Sequence, residues 1–141
     1  MSDGCIFCKI IAGQIASNIV YSDEQIFAFL DINPANKGHT IVIPRKHYTT
    51  FNDIPEAELQ DLFAAVQKIS KGIEKGLKSD GYNLVNSNKR PAGQEVDHVH
   101  IHVIPRYKGD EMSVRLGWVY KKYEGNEAKE VADKLRKYIK L

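Results

Sequence analysis

The sequence lacks the features of secreted, membrane-spanning and strongly nucleic-acid-binding proteins. Cysteine occurs only twice in 141 residues, too rarely for a disulfide framework. No apolar run is long enough to cross a membrane, and the first residues lack the basic segment of a signal peptide. The net charge is only +2, so electrostatics gives no reason to expect nucleic acid or a membrane as partner. We therefore expect a cytoplasmic protein that binds neither.

Internal repeats, low-complexity stretches and linkers are also absent, so residues 1–141 are predicted to form a single domain. Short β-like runs bounded by turn residues predict five strands, at 19–21, 26–30, 39–44, 82–86 and 96–104. Helical spacing predicts a long helix over 54–78 and shorter ones over 5–12 and 127–139. This order indicates an α+β fold, in which an antiparallel sheet of about five strands carries the long helix and short N- and C-terminal helices flank it.

The ends and apolar faces of these helices give more specific expectations. Asp53 and Glu56 are predicted to form a capping box that starts the long helix, and Gly81 to end it. The predicted apolar stripe of that helix is Leu59, Leu62, Phe63, Val66, Ile69, Ile73 and Leu77. The predicted buried side of the C-terminal helix is Val131, Leu135 and Tyr138.

Three of the five histidines lie at alternate positions of the segment 96–104. Because successive side chains of a strand point to opposite faces, His98, His100 and His102 are predicted to share one face. The apolar residues between them then point into the core. Packing does not require three imidazoles in a row. They indicate either a metal site or catalysis, with one imidazole as nucleophile or base.

Two further segments bear on the choice between a metal site and catalysis. The loop over 86–94 is polar and basic, and its glycine, amide side chains and exposed N–H groups suit a phosphate. Cys5 and Cys8 form a Cys-x-x-Cys pair, which favours metal binding or redox chemistry over a structural disulfide. Two buried thiols without a function are the remaining alternative for this pair.

Taken together, these segments resemble the histidine-triad (HIT) family, and most closely its Hint-like branch of small homodimeric nucleotide-binding hydrolases. The motif His98-x-His100-x-His102, followed by Val103-Ile104 and preceded by Gly93-Gln94, matches the family signature. The segments 29–34 and 38–47 match as well. The resemblance covers roughly residues 5–107 and implies a HIT-like fold, followed by a C-terminal helical tail over about 108–141.

The resemblance implies a reaction at the α-phosphate of a purine nucleotide derivative, such as a nucleoside phosphoramidate or a dinucleotide. His100 would attack the phosphorus and carry a covalent nucleotidyl intermediate, while His98 and His39 would support the catalytic histidines. For His39 the alternative is a histidine at a strand end without a role in catalysis. His102 would contact the phosphate and manage protons at the leaving group; the alternative is that it only hydrogen-bonds the phosphate. Asp31 would accept the ribose hydroxyls.

The resemblance also implies the rest of the nucleotide site. Phosphate oxygens or the leaving atom would be held by Asn86, Gly93 and Gln94, with Glu95 and Val96 beside them in the binding set. The wall of the base pocket would be formed by Ile6, Phe7, Ile10, Phe29, Ile32 and Ile41. Glu95 departs from the family pattern, because Hint-like hydrolases usually carry a serine there, and an inward-pointing carboxylate would repel phosphate.

The resemblance also implies a zinc site and a homodimer. Related family members, including the galactose-1-phosphate uridylyltransferases, bind zinc through a cysteine pair and two histidines, which here are Cys5, Cys8, His47 and His98. Two thiolates and two imidazoles form a closed tetrahedral site, which is structural rather than catalytic. A homodimer is expected through the 54–78 helix and a neighbouring strand. The tail over 108–141 differs from the eukaryotic Hint tail, which helps to shape the partner's site.

Three functions compete with hydrolysis. The first is a nucleotide-binding regulatory or scaffold protein whose hydrolysis is incidental, the second is a nucleotidyltransferase, and the third is a zinc-dependent structural module without turnover. Turnover of an adenosine phosphoramidate by the purified protein separates an enzyme from a regulator or a structural zinc module.

Overall fold

The computed structural model describes residues 4–113 and 120–139. The chain divides into two compact units, Met1–Gly109 and Asp110–Leu141. The single domain over 1–141 stays a prediction.

The first unit is built on a five-stranded sheet with the strand order β1-β2-β3-β5-β4, in which every neighbouring pair is antiparallel. The strands are β1 (Ile19–Ser22), β2 (Ile26–Leu30), β3 (Thr40–Pro44), β4 (Gly81–Val85) and β5 (Ile101–Arg106). These segments confirm the predicted α+β class, and their bounds differ from the predicted ones mainly at β5.

Two apolar layers pack on opposite faces of this sheet, because successive strand residues point to opposite sides. The helix α2 (Glu56–Leu77) covers one face, where its buried residues meet Ile26, Ala28, Val42, Val99, Ile101 and Val103. The short helix α1 (Ile6–Ile11) covers the other face, in a cluster of Cys5, Phe7, Cys8, Ile10, Phe27, Phe29, Ile41 and Ile43. The two faces therefore have separate cores.

The predicted caps of α2 are wrong at both ends. The Asp53 carboxylate accepts hydrogen bonds from the backbone N–H and the hydroxyl of Thr50, at 3.0 and 2.8 Å, and so closes a 3₁₀ turn ahead of the helix. Pro55 directly precedes α2. At the C-terminal end Lys78 takes the left-handed conformation, with φ 53°, and Gly81 begins β4.

The strand β5 begins later than predicted, at Ile101 rather than at residue 96, and continues to Arg106. The reason lies in the carbonyl groups before it. The His98 carbonyl accepts from Nδ1 of His100, and the His100 carbonyl accepts from the side-chain amide of Asn86 at 3.0 Å. These two carbonyls are hydrogen-bonded to side chains and not to a neighbouring strand, so the ladder of β5 begins only at Ile101. The predicted alternation of burial persists regardless, with Val99, Ile101 and Val103 in the core beneath α2.

The second unit contains α3 (Glu127–Tyr138), which confirms the predicted C-terminal helix. Its predicted buried side is wrong, because no residue of α3 is buried, and Leu135 and Tyr138 are 52% and 76% exposed. Apolar spacing makes the helix amphipathic but does not supply a partner for its apolar face. Among the described residues, no helix is both long enough and apolar enough to cross a bilayer.

Candidate active site

A cavity of about 480 Å³ opens on the face of the sheet that α1 covers. All six residues predicted to wall a base pocket line it: Ile6, Phe7, Ile10, Phe29, Ile32 and Ile41. The Phe7 ring packs edge-on against Phe29, with centroids 5.4 Å apart, so α1 and β2 together form the apolar wall. Ile32 is 82% exposed and marks the open mouth of the cavity.

Polar groups converge on the other side of the same cavity. The predicted residues that line it there are Asp31, Gly93, Glu95, Val96, His100 and His102. Gly93 has a φ of 91°, a conformation that side chains with a Cβ rarely adopt. Sequence reasoning missed five further lining residues: Leu30 and Asn33, which lie within the matched segment 29–34, and Ile15, Ala16 and Ser17, which carry no motif. An apolar wall facing a few convergent polar groups, here a carboxylate and two imidazoles, is typical of a small-molecule binding site.

His100 is held by a hydrogen bond to the backbone two residues before it. Its Nδ1 lies 2.7 Å from the His98 carbonyl oxygen, and because a carbonyl only accepts, Nδ1 carries the proton. The lone pair therefore belongs to Nε2, which has no hydrogen-bond partner among the described residues. Burial lowers the pKa of His100 below its ordinary value, so the ring is neutral near pH 7. A buried neutral imidazole that lines a cavity is suited to act as a nucleophile.

His102 lies beside His100, with ring centroids 4.9 Å apart, and belongs to a chain of hydrogen bonds. Its Nδ1 is 2.8 Å from Nε2 of His39, and Nδ1 of His39 accepts from the Ala35 backbone N–H at 2.9 Å. Burial lowers the pKa of His102 to about 4, and the neighbouring His100 and His39 act in the same direction. His39 does not line the cavity, so it acts on the site through His102.

Asp31 is half-buried at the end of β2, next to the histidines. Its Oδ1 accepts from the Asn33 backbone N–H at 2.8 Å, which fixes the carboxylate at the start of the loop. Its Oδ2 lies 3.7 Å from Nε2 of His39, beyond hydrogen-bond distance. That oxygen is therefore available to a hydroxyl group of a ligand.

Two residues predicted to hold phosphate have their side chains engaged elsewhere. Gln94 is 1% exposed; its amide donates to the carbonyls of Thr49 and Val96, at 2.7 and 2.9 Å, and its Oε1 accepts from the Lys89 backbone N–H at 2.7 Å. The Gln94 side chain is therefore held by backbone groups around the loop, and its predicted role in holding phosphate stays a prediction.

Asn86 is similarly engaged. Its amide donates to the His100 carbonyl, and its Oδ1 accepts from Asn88 at 2.6 Å. Asn86 therefore positions the histidine segment and is not among the residues that line the cavity.

A separate group of metal-ligating side chains lies next to the cavity. The donor atoms of Cys5, Cys8, His47 and His98 all lie within 4.8 Å of one another, and both cysteines are buried and free of disulfides. The Sγ atom of Cys5 is 3.4 Å from Nδ1 of His98, and that of Cys8 is 3.5 Å from Nδ1 of both histidines. A tetrahedral zinc ion separates its sulfur and nitrogen ligands by about 3.5 Å, given bonds of about 2.3 and 2.0–2.1 Å.

The protonation of this group also suits a metal ion. Nε2 of His98 lies 2.8 Å from the Pro44 carbonyl and therefore carries the proton, so Nδ1 offers its lone pair toward the thiols. Burial lowers the pKa of His98 to about 4, which keeps the ring neutral. Burial raises the pKa of the Cys5 thiol, and a bound cation would offset this rise by stabilising the thiolate. The donor set therefore fits zinc.

Comparison with known proteins agrees with this geometry. The HIT domain model matches residues 12–109. An uncharacterized HIT-like protein of Methanocaldococcus jannaschii is 56% identical over 115 residues, which are 82% of this chain and 88% of the relative. The adenosine 5'-monophosphoramidase of Saccharomyces cerevisiae is 40% identical over 114 residues, 81% of this chain and 69% of that enzyme. The crystal structure of a HIT family member from Bacillus subtilis is 38% identical, has a TM-score of 0.86 and covers 99% of both chains. The chain belongs to the HIT family.

Proposed function

We propose that this protein hydrolyses the bond between the α-phosphorus of a purine nucleotide and its leaving group, through a covalent nucleotidyl intermediate on His100. The observation that carries the proposal is the hydrogen bond from His100 Nδ1 to the His98 carbonyl, which leaves the Nε2 lone pair as the free nucleophile of the cavity. The yeast relative that is named an adenosine 5'-monophosphoramidase supports the same reaction class.

Different residues around the cavity bind the base, the ribose and the α-phosphate of the nucleotide. The base packs between the apolar side chains of α1 and β2, and the ribose hydroxyls donate to Oδ2 of Asp31. We expect this placement to bring the α-phosphate to His100 and His102, which line the same cavity. Glu95 is exposed and lines the cavity, and we expect its carboxylate to lie near the leaving group. Its carboxylate disfavours leaving groups that carry negative charge.

The reaction then takes two displacements at phosphorus. Nε2 of His100 forms a bond to phosphorus while the bond to the leaving group breaks; the leaving group departs with the electron pair and takes a proton from water. The phosphorylated ring is cationic, and its Nδ1–H remains bonded to the His98 carbonyl, so the nucleophile need not lose a proton. Water then attacks phosphorus, the bond to Nε2 breaks, a proton passes to solvent, and the free enzyme and the nucleoside monophosphate result.

The test is turnover of adenosine 5'-phosphoramidate by the purified protein, with a rapid-quench search for a nucleotide bound to His100. A regulator with incidental hydrolysis would bind adenosine monophosphate and release product at a negligible rate. A transferase would form the intermediate and pass it to an added acceptor in preference to water. Either result would refute the hydrolase assignment.

We also propose one structural zinc ion per chain, held by Cys5, Cys8, His47 and His98. When bound, the ion supplies no chemistry to the substrate; it cross-links the chain. The ligands come from α1, from the segment after β3 and from the segment before β5, so the site ties the N-terminal helix to the sheet. Two thiolate ligands require reduced cysteines, which agrees with the cytoplasm as the proposed location.

A homodimer is the proposed assembly, with β4 and α2 at its interface. The edge strand β4 exposes Tyr82 and Leu84 by 43% and 47%, and Phe63 on α2 is 38% exposed. Leu84 pairs with Val103, which packs beneath α2, so these apolar side chains share one side of the sheet. Leu84→Glu is expected to yield monomers in sedimentation velocity. Ile19→Glu, on the opposite edge strand, is the control that leaves the dimer intact; a monomeric wild-type protein at micromolar concentration would refute the proposal.

A further inference from the structure

One side of the group Cys5, Cys8, His47 and His98 adjoins a second cavity, of about 380 Å³, at the protein surface. This cavity is lined by Gly4, Cys5, Ile6, His47, Arg90, Glu95, Val96 and Asp97. Cys8 and His98 do not line it, and they are only 1% and 0% exposed. Cys5 is therefore the thiol of the group that a small solute reaches first.

The two cysteines lie side by side at the start of α1. Cys5 is the N-cap of the helix, and its Sγ accepts from the Cys8 backbone N–H at 3.3 Å. The two Sγ atoms lie within 4.8 Å of each other. Cys-x-x-Cys pairs form disulfides in redox-active proteins, so the spacing permits a bond between these two sulfurs. Since the sequence contains no other cysteine, an oxidised Cys5 has Cys8 as its only partner within the chain.

A disulfide between Cys5 and Cys8 connects different parts of the chain from those that the zinc group connects. The zinc group joins α1 to the segments that carry His47 and His98, after β3 and before β5. The disulfide joins two residues at the start of the same helix and leaves both histidines unconnected to it. A structural zinc site needs four ligands, so the two imidazoles alone do not hold the ion. Oxidation therefore removes the cross-link between α1 and the sheet.

The cross-link matters for the nucleotide site because α1 contributes three of the six residues in its apolar wall, Ile6, Phe7 and Ile10. The Phe7 ring also packs edge-on against His100, with centroids 5.1 Å apart. A change in how firmly α1 is held thus reaches the cavity through these side chains.

We infer that Cys5 and Cys8 form an oxidation site, at which hydrogen peroxide converts the zinc-binding pair into a disulfide and so weakens nucleotide binding. The inference rests on the proposed zinc site and, for the identity of the ligand, on the proposed function. It assigns the two cysteines a regulatory role in addition to the structural one.

The oxidation takes two displacements at sulfur. The Cys5 thiolate attacks one peroxide oxygen, the O–O bond breaks, and a sulfenic acid forms on Cys5 while hydroxide departs. The Cys8 thiolate then attacks the Cys5 sulfur; the S–S bond forms, the S–O bond breaks, and a second hydroxide departs. Each hydroxide takes a proton from solvent. Two thiolates thus lose two electrons, and hydrogen peroxide is reduced to two molecules of water.

The test is a titration of the zinc-loaded wild-type protein with hydrogen peroxide, followed by a colorimetric zinc indicator and by thiol counting. Both thiols of each chain are expected to disappear in step with the release of one zinc ion. The tryptic peptide that ends at Lys9 should lose two hydrogens, as an internal disulfide requires. A dithiol reductant with added zinc should restore the starting material.

Stability and binding measure the consequence. The oxidised protein and the reduced, metal-free protein are expected to share one thermal midpoint, roughly 5 °C or more below that of the zinc-loaded form, because neither ties α1 to the sheet. The Kd for adenosine monophosphate should rise by about three- to tenfold on oxidation, as for partial loss of one apolar contact. In the double variant Cys5→Ser, Cys8→Ser, peroxide should leave this Kd unchanged.

The inference is overturned if zinc stays bound after both thiols are oxidised, if the thiols become sulfinic acids without a disulfide, or if the oxidised protein keeps the midpoint of the zinc-loaded form. A wild-type protein that binds no zinc would overturn it together with the proposed site. Absence of turnover of adenosine 5'-phosphoramidate would refute the proposed function alone, because zinc release, thiol counts and thermal unfolding require no substrate.

Discussion

His98 and His100 are two residues apart and lie on the same side of the sheet, yet they belong to different sites. Both are buried, and the Phe7 ring packs against both, at 6.0 and 5.1 Å between centroids. In His98 a backbone carbonyl binds Nε2, so Nδ1 is directed at two thiols. In His100 a backbone carbonyl binds Nδ1, so the lone pair of Nε2 belongs to the cavity.

The difference shows that the hydrogen bond to one ring nitrogen decides what the other can do. The same residue type at equivalent positions of a motif becomes a metal ligand in one case and a candidate nucleophile in the other. The two sites also share a connection, because the His98 carbonyl holds His100 while the His98 ring belongs to the metal group. Substitutions in one site, followed by measurements of metal content, stability and turnover, therefore test whether the two sites are independent.

Replacement of His100 is expected to have the largest effect. His100→Ala removes the nucleophile and should lower turnover of adenosine 5'-phosphoramidate by about 10³-fold or more. Binding of adenosine monophosphate should survive, because the apolar wall and Asp31 remain. Steady-state kinetics and titration calorimetry measure the two quantities. Metal content and thermal stability of the variant, expected to match the wild type, serve as controls.

Near wild-type turnover in His100→Ala would contradict the mechanism outright. Loss of turnover together with loss of the metal would instead show that the two sites are one structural unit. In that case the proposed division between His98 and His100 would be wrong.

A smaller effect is expected at Asp31, which faces the cavity without touching the metal group. Asp31→Asn replaces the charged acceptor for the ribose hydroxyls and should weaken binding of adenosine monophosphate by roughly tenfold or more. The 2',3'-dideoxy nucleotide lacks both hydroxyls, and its affinity should barely change. Calorimetry on both ligands measures the ratio. An equal loss for the two ligands would mean that Asp31 supports the cavity without binding ribose.

The fold was predictable from the sequence to the extent that it depends on periodic burial. Alternation and helical spacing indicated the sheet, α2 and the separation of Val99, Ile101 and Val103 from the histidines. The exceptions were decided by hydrogen bonds between side chains and backbone. The Asp53 carboxylate accepts hydrogen bonds from Thr50 instead of capping α2. The carbonyls of His98 and His100, before β5, accept hydrogen bonds from the side chains of His100 and Asn86. Such bonds depend on distances that composition and spacing do not contain.

The candidate site shows the same limit. The residues assigned to the base pocket lie on the predicted first helix or in the matched segments 29–34 and 38–47, and all of them line the cavity. Ile15, Ala16 and Ser17 line it as well, although they follow α1 in a segment without a motif. Gln94 occupies a position of the family motif, but its side chain is buried and its amide donates to backbone carbonyls. Motif position thus indicated which loop forms the site, and only the structure indicated which atoms of the loop are free.

Removal of the metal group is expected to have the smallest effect on turnover and a clear effect on stability. Cys8→Ser should lower the zinc content from about one ion per chain to near zero, and the thermal midpoint by roughly 5 °C or more, because α1 is no longer tied to the sheet. Turnover should fall by less than about tenfold, mainly through a higher KM, since Phe7 on α1 packs on His100 while the backbone carbonyl that holds the nucleophile stays in place.

Elemental analysis, thermal unfolding and steady-state kinetics on the same preparation measure these three quantities. Chelator added to wild-type protein should reproduce the loss of stability, and chelator added to Cys8→Ser should cause no further loss. Wild-type protein that contains no metal after zinc was supplied would refute the site. A loss of kcat as complete as that of His100→Ala would show that the ring of His98, and not only its carbonyl, is needed to place the nucleophile.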